Sequence, residues 1–210
     1  MEPQKAATEA VRETEGQILC QNGEAVEAYY FSTSAGVTST DEIWGSDEAA
    51  PYLRSVPCKF DEEEPWSSWI VELPWKMLED RIREKGEGTV LRSVTVTRRS
   101  ESGAATALEA VSDKDSCIIE NEYEIRKFLA PVNCMITEKD GTETAGGSLL
   151  PSAYFELERT QNGNLQVRGK GYGHGVGMSQ TGADKMAEQG YDYREILDYF
   201  FRNITVENLG

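Results

Sequence analysis

The stretch Gly169-Lys-Gly-Tyr-Gly-His-Gly-Val-Gly-Met-Ser-Gln180 constrains this chain more than any other. Glycine stands at every second position from Gly169 to Gly177, and His174 among them is the single histidine of 210 residues. Glycine tolerates positive φ and lets another backbone or a ligand come close. Strict alternation therefore builds a strand poorly and a shaped surface well. Tyr172, His174 and a Ser179-Gln180 pair at the start of a helical pattern complete what reads as a site.

A chain of this length suits one domain, residues 1–210, and can bury a core. The formal charge of −16 argues against nucleic acid, anionic membrane surfaces and heparin-like partners. A neutral ligand, or a glycan with its acidic groups trimmed, fits better. No apolar run is long enough to span a bilayer. The opening residues, Met1 to Gly16, carry no apolar h-region. The expectation is that any export or membrane-anchor segment lies outside this chain. Cys20, Cys58, Cys117 and Cys134 form no CxxC pair and have no second histidine nearby. Isolated thiols are expected rather than a zinc site, and a disulfide pairing cannot be read from the spacing.

Local signals place the elements. Residues 4–14 form a short amphipathic helix. Asn22-Gly23 turns a strand at Ile18–Leu19 into one running from Ala25 to Phe31. Asp61-Glu-Glu-Glu64 reads as a solvated acidic loop. A helix follows Pro74 with Trp75, Leu78 and Ile82 on one face. Val90 to Thr97 forms a strand, with Val90, Val94 and Val96 facing one way, and Ser100–Gly103 turns it into Ala105–Val111. Glu122 to Leu129 is a helix closed before Pro131. Asn162-Gly163 turns Tyr154–Glu158 into Leu165–Val167. Ala183, Met186 and Ala187 mark a helix stopping at Gly190. Asp192 caps the last one, whose stripe is Tyr193, Ile196, Leu197 and Phe200. Hairpins with scattered short helices and no βαβ rhythm predict an α+β fold of antiparallel sheets, with a core and a smaller inserted lobe at residues 60–128.

The glycine segment excludes two chemistries. A P-loop needs Ser or Thr after Gly-Lys, and Lys170 is followed by Gly171; the dinucleotide fingerprint lacks its parallel context. His174 with Ser179 invites a Ser-His reading, but no G-x-S-x-G elbow exists and Ser179 is placed to cap the following helix. Sugar binding fits the side chains. Tyr172 offers a ring face, while His174, Ser179 and Gln180 offer neutral donors and acceptors. Ser32 and Ser34, in the small polar run Ser32-Thr-Ser-Ala-Gly36, either line the same groove or bond to nearby backbone.

Several blocks together resemble one family. They are Thr14-Glu-Gly-Gln-Ile-Leu19, Tyr30-Phe-Ser-Thr-Ser-Ala-Gly36, Trp44-Gly45, Pro51-Tyr-Leu53 and Gly171-Tyr-Gly-His-Gly-Val-Gly-Met-Ser-Gln-Thr-Gly-Ala183. Arg98-Arg-Ser-Glu-Ser-Gly103, Arg126 with Leu129, and Leu150-Pro-Ser-Ala-Tyr-Phe155 match more weakly. The pattern is similar to the stage II sporulation protein D family, which includes the amidase-enhancer proteins. The resemblance implies action on peptidoglycan at the cell envelope, outside the cytoplasm. Sporulation members are lytic transglycosylases of glycan strands stripped of stem peptides during engulfment; related members enhance an amidase. The implied partners are therefore glycan strands, a cell-wall amidase and other engulfment proteins.

The implied groove is lined by Ser32, Ser34, Tyr172, His174, Ser179 and Gln180, with Lys170 and Arg126 as flanking cations. The reaction needs a single carboxylic acid of raised pKa, since the sugar's own hydroxyl is the nucleophile. The family carries that acid on an earlier helix; here Glu2 stands at a superficially similar position, but Pro3 follows it. Family zinc ligands also belong to that earlier segment, so no metal and no other cofactor carries over. Ala35 and Ala104 are two lesser departures, where the family often has glycine and arginine.

Overall fold

The computed structural model describes residues 3–46 and 48–209. Helix α1 (Pro3–Glu13) comes first. Asn22 and Gly23 then make a tight turn, both at positive φ (55° and 81°), the geometry that matches strand twist in a two-residue hairpin. It joins β1 (Gln17–Gln21) to β2 (Glu24–Ala25). The second strand was expected to reach Phe31, but it stops at Ala25. The other edge of β1 pairs with the terminal strand, and Tyr30–Phe31 (β3) leaves for a partner far along the chain. A 3-10 turn at Asp41–Trp44 follows, with buried Ile43 as its anchor.

The middle of the chain contributes β4 (Trp69–Leu73), α2 (Trp75–Glu84), β5 (Leu91–Arg99), β6 (Ala105–Ser112), β7 (Ser116–Glu120), α3 (Glu122–Phe128), β8 (Met135–Glu138) and β9 (Glu143–Ala145). After these come β10 (Phe155–Arg159), β11 (Leu165–Gly169), β12 (Met178–Ser179), α4 (Gln180–Glu188), α5 (Tyr193–Phe200) and β13 (Thr205–Asn208). Antiparallel sheets run in the orders β10-β11-β4-β8-β9, β5-β6-β7 and β13-β1-β2. The exception is β3 with β12, two short strands that pair in parallel. The fold is α+β, as the hairpin-rich sequence predicts, and among the described residues no sheet closes into a barrel.

Strand β5 departs from the expected facing. A bulge lies between Leu91 and Ser93. An extra residue changes which side chains face inward, so Leu91 and Val94 are buried while Val90 is exposed.

Apolar residues gather in two clusters. One joins Trp69, Val71 and Leu73 of β4 to Leu78 and Ile82 of α2, Leu108 of β6, Ile125 of α3 and Val167 of β11. The other joins Ile43, Leu53, Val56, Tyr154 and Val176 to Met186 of α4 and Ile196 and Phe200 of α5. Helix α5 begins with a complete capping box: Asp192 accepts from the Glu195 backbone, and the Glu195 side chain accepts from the Asp192 N–H. All four cysteines are free thiols, with Cys20 and Cys58 buried. Among the described residues, no helix is long and apolar enough to cross a membrane.

Candidate functional site

The glycine-histidine segment threads through the molecule, and its neighbours are other parts of the same chain. Trp69 lays its indole over Gly169 and donates from Nε1 to the Gly171 carbonyl at 2.9 Å. Tyr172 and Thr33 exchange backbone hydrogen bonds at 2.8 and 3.1 Å. Gly173 N–H donates to Pro151, and the Gly175 carbonyl accepts from Ser39. A Cβ on Gly173 would sit 2.7 Å from the Phe31 Cβ, at a φ of +113°; one on Gly177 would strike the Tyr29 carbonyl. The alternation therefore makes room for Phe31, Tyr29 and Trp69. The expectation of an open surface shaped for a ligand is corrected on this point.

The acidic run gives a second correction. Glu62 and Glu63 face solvent, but Asp61 turns inward and is 1% exposed. Its carboxylate accepts from Ser34 N–H and Oγ–H (both 2.7 Å), Ser179 Oγ–H (2.6 Å), Thr181 Oγ–H (3.3 Å) and the Cys58 thiol (3.5 Å). Those donors satisfy a charge that has left water, at the N-terminal end of α4, where the helix dipole favours an anion. Burial, followed by the Asp61 charge, pushes the Cys58 thiol up to about 12. Ser34 and Ser179, both expected to line the groove, are buried in this cluster. Ser179 also caps α4 by accepting from Gly182 N–H. Its hydroxyl belongs to Asp61 rather than to His174, which removes the Ser-His arrangement.

His174 is half-buried and wedged edge-on between Phe31 and Trp44, with ring centroids at 5.9 and 5.1 Å. Nδ1 accepts from Val176 N–H at 3.1 Å, which places the ring proton on Nε2. Burial, and after it the Arg126 guanidinium, holds the imidazole down at about 4, against a backbone hydrogen bond with Tyr30 that acts the other way. The ring is therefore neutral at pH 7, and it supports Trp44 instead of reaching outward.

A pH dependence follows. Between pH 6.5 and about 4 the unfolded histidine takes up a proton that the folded one refuses, so stability falls as pH falls through this window. The loss approaches roughly 3 kcal/mol at most. In thermal melts the stability difference between wild type and His174→Gln should stay constant above pH 6.5 and shift against the wild type as pH falls from 6.5 to about 4. Parallel curves would contradict the assignment.

Behind the wedge lies a cleft of about 470 Å³, lined by Glu42 to Gly45, Arg98 to Ser100, Thr106, Glu120 and Asn121. Trp44 is its aromatic wall, and Tyr29 fixes its ring from another side at 4.9 Å. Arg98 is braced by Thr106 Oγ at 3.3 Å and Glu120 at 3.0 Å. The wall charges balance, Arg98 and Arg99 against Glu42 and Glu120. Asn121 caps α3 by accepting from Glu124 N–H at 3.0 Å, from a backbone at φ 61° and ψ 156°. Few residues other than glycine adopt that conformation, and such strain concentrates at functional sites. Four hydroxyls pin the adjoining turn: Ser102 lies 2.9 Å from Ser100, 2.8 Å from Ser39 and 3.1 Å from Tyr154, and Ser39 lies 2.6 Å from Tyr154. Trp44-Gly45, Arg98–Gly103 and the glycine-histidine block thus meet at one place, from three distant parts of the sequence.

The remaining expected residues fall elsewhere. Arg126 is buried, ion-paired with buried Glu122, and donates to the Leu150 and Pro151 carbonyls at 2.8 and 3.2 Å, so it is no flanking cation. Tyr172 is 42% exposed and edge-on to Trp66 at 4.7 Å. Gln180 is exposed at the start of α4, and Ser32 is half-buried with its carbonyl accepting from Thr181. Lys170 lines a separate, smaller cleft. Glu2 lies outside the described residues. No group of three or more His, Cys, Asp or Glu side chains could hold a metal ion among the described residues.

The chain belongs to the family described as Domain of unknown function (DUF8618), which matches residues 54–177. It is also related to the stage II sporulation protein D and amidase-enhancer proteins, as the motifs imply. It is 31% identical over 202 residues to stage II sporulation protein D of Bacillus amyloliquefaciens, covering 96% of this chain and 51% of that protein. Identity to the Bacillus subtilis stage II sporulation protein D is 30% over 203 residues, with the same coverage. The amidase enhancer of Bacillus subtilis is 23% identical over 230 residues, covering 94% of this chain and 32% of that protein. The chain therefore spans about half the length of these sporulation proteins and about a third of the enhancer.

Proposed function

We propose that this chain binds peptidoglycan glycan strands lacking stem peptides, at the cell envelope outside the cytoplasm, in sporulation or cell-wall remodelling. The observation that carries the reading is the Trp44 cleft. A fixed indole face suits the apolar face of a sugar ring, and paired Arg98 and Glu120 with Asn121 offer both donors and acceptors to hydroxyl and N-acetyl groups. The names of the sporulation and enhancer relatives supply the setting. Cleavage would add one carboxylic acid acting on the glycosidic oxygen. Of the two carboxylates in the cleft, Glu120 is held by Arg98 and Glu42 accepts from Thr40 Oγ at 2.8 Å, which leaves Glu42 the freer of the two. The enhancer's name favours a second reading, a non-catalytic module that brings an amidase to the strand.

Calorimetric titration with peptide-free strands tests binding, and chromatography of the same mixture for 1,6-anhydro ends tests cleavage. Trp44→Ala is expected to weaken binding by about tenfold or more, in line with the loss of one aromatic anchor. Binding without anhydro products would support the enhancer reading. Unchanged affinity in Trp44→Ala would remove the cleft from the proposal.

A further inference from the structure

We propose that the smaller cleft beside Lys170 recognises a carboxylate carried by the glycan; this rests on the glycan reading above and names the sugar substituent. The chain holds 37 acidic residues against 21 lysines and arginines. Yet Arg99, Arg168 and Lys170 converge on one cleft of about 320 Å³ with a single carboxylate, Glu156. The convergence has a simple origin. Alternation along a strand sends residues i and i+2 to one face, which aligns Arg168 near the end of β11 with Lys170 just past it, where the Lys170 N–H still pairs with the Tyr154 carbonyl. Arg99 arrives from the end of β5 and is tied down by the Gly103 carbonyl at 3.1 Å, the Phe155 carbonyl at 2.8 Å and Glu156 at 2.9 Å.

Glu156 is thereby spent on Arg99. Arg168 reaches only Glu158, at 3.9 Å, and the Lys170 ammonium has no ion-pair partner among the described residues. The cleft thus carries three basic side chains against one carboxylate that is already paired, a local excess of positive charge in a chain of net charge −16, and an anionic group entering it would gain charge-assisted hydrogen bonds from Lys170 and Arg168. Arg99 also borders the Trp44 cleft. One strand can therefore lie against Trp44 while the acid group of a neighbouring sugar meets Lys170 and Arg168. A peptide-free glycan supplies such a group, the lactyl carboxylate uncovered when the stem peptide is removed.

The test compares two saccharides of equal length with the whole chain: peptide-free glycan oligomers, which carry the carboxylate, and chito-oligosaccharides, which do not. Wild type should bind the carboxylate-bearing oligomer about tenfold tighter at low salt, and the preference should shrink as salt rises. Arg168→Gln with Lys170→Gln should erase the preference and leave chito-oligosaccharide affinity and melting temperature unchanged. Equal wild-type affinities, or a preference surviving in the double variant, would overturn the carboxylate site while leaving the glycan reading intact. Binding of neither saccharide would overturn the glycan reading, and this inference with it.

Discussion

Asp61→Ala is expected to lower the unfolding free energy by about 3–5 kcal/mol, because several buried donors lose their acceptor at once and each such loss costs about 1–3 kcal/mol before relaxation. The substitution leaves Ser34 N–H and the hydroxyls of Ser34, Ser179 and Thr181 without their acceptor. These groups come from two segments far apart in sequence, so the loss releases the Ser34 loop and the start of α4 together. Asp61→Asn should cost less but remain clearly destabilising, because its amide places a donor where donors already point. Urea denaturation should show the midpoint falling at constant slope. A change below about 1 kcal/mol would mean that water replaces the carboxylate readily, and that the cluster does not hold these segments.

Arg126→Ala is expected to cost about 3–5 kcal/mol for a different reason: it strands the buried Glu122 carboxylate. It also removes two donors from the Leu150 and Pro151 carbonyls. Because Pro151 in turn accepts from Gly173 N–H, the loss should spread to the segment that carries His174. Glu122→Leu with Arg126→Met should recover part of the stability, since removing both charges leaves no lone ion. A double variant as unstable as Arg126→Ala would show that the carbonyl contacts, and not the ion pair, dominate. Chemical denaturation of wild type and the two variants decides between these.

Much of the local structure was legible in the sequence. Asn22-Gly23, Asn162-Gly163, Gly190 and the Asp192–Glu195 box act within a few residues of themselves, so spacing alone reveals them. Alternation in Trp69-Ile-Val-Glu-Leu73 was equally local, with residues 69, 71 and 73 buried, and would have found β4. What could not be read depends on partners far away. The pairing of β3 with β12 joins residues near 30 and 178 through two positions each, and nothing nearby signals it. Asp61 sits in a charge run whose next two members face water. Only its approach to Ser34, Ser179 and Thr181 turns it inward.

The candidate site was legible in part. The glycine alternation announced that space was needed from residue 169 to 177, but not what would fill it. The occupants proved to be Trp69, Phe31 and Tyr29. His174 was singled out for its isolation, and its neighbours Trp44 and Phe31 come from elsewhere in the chain. Trp44-Gly45 and Arg98–Gly103 were noticed as blocks of a resemblance. Their common cleft, with the strained Asn121 at its edge, required the fold.

The most direct measurement is a titration of the isotopically labelled chain with a peptide-free glycan tetrasaccharide, followed residue by residue by nuclear magnetic resonance. The expected result is a saturable shift of the Trp44 indole N–H and of the Ser100, Thr106 and Asn121 amides, with little change at Tyr172 and Gln180. Saturable shifts confined to Tyr172, Gln180 and Ser32, or no saturable shift at any position, would contradict the Trp44 cleft as the glycan site.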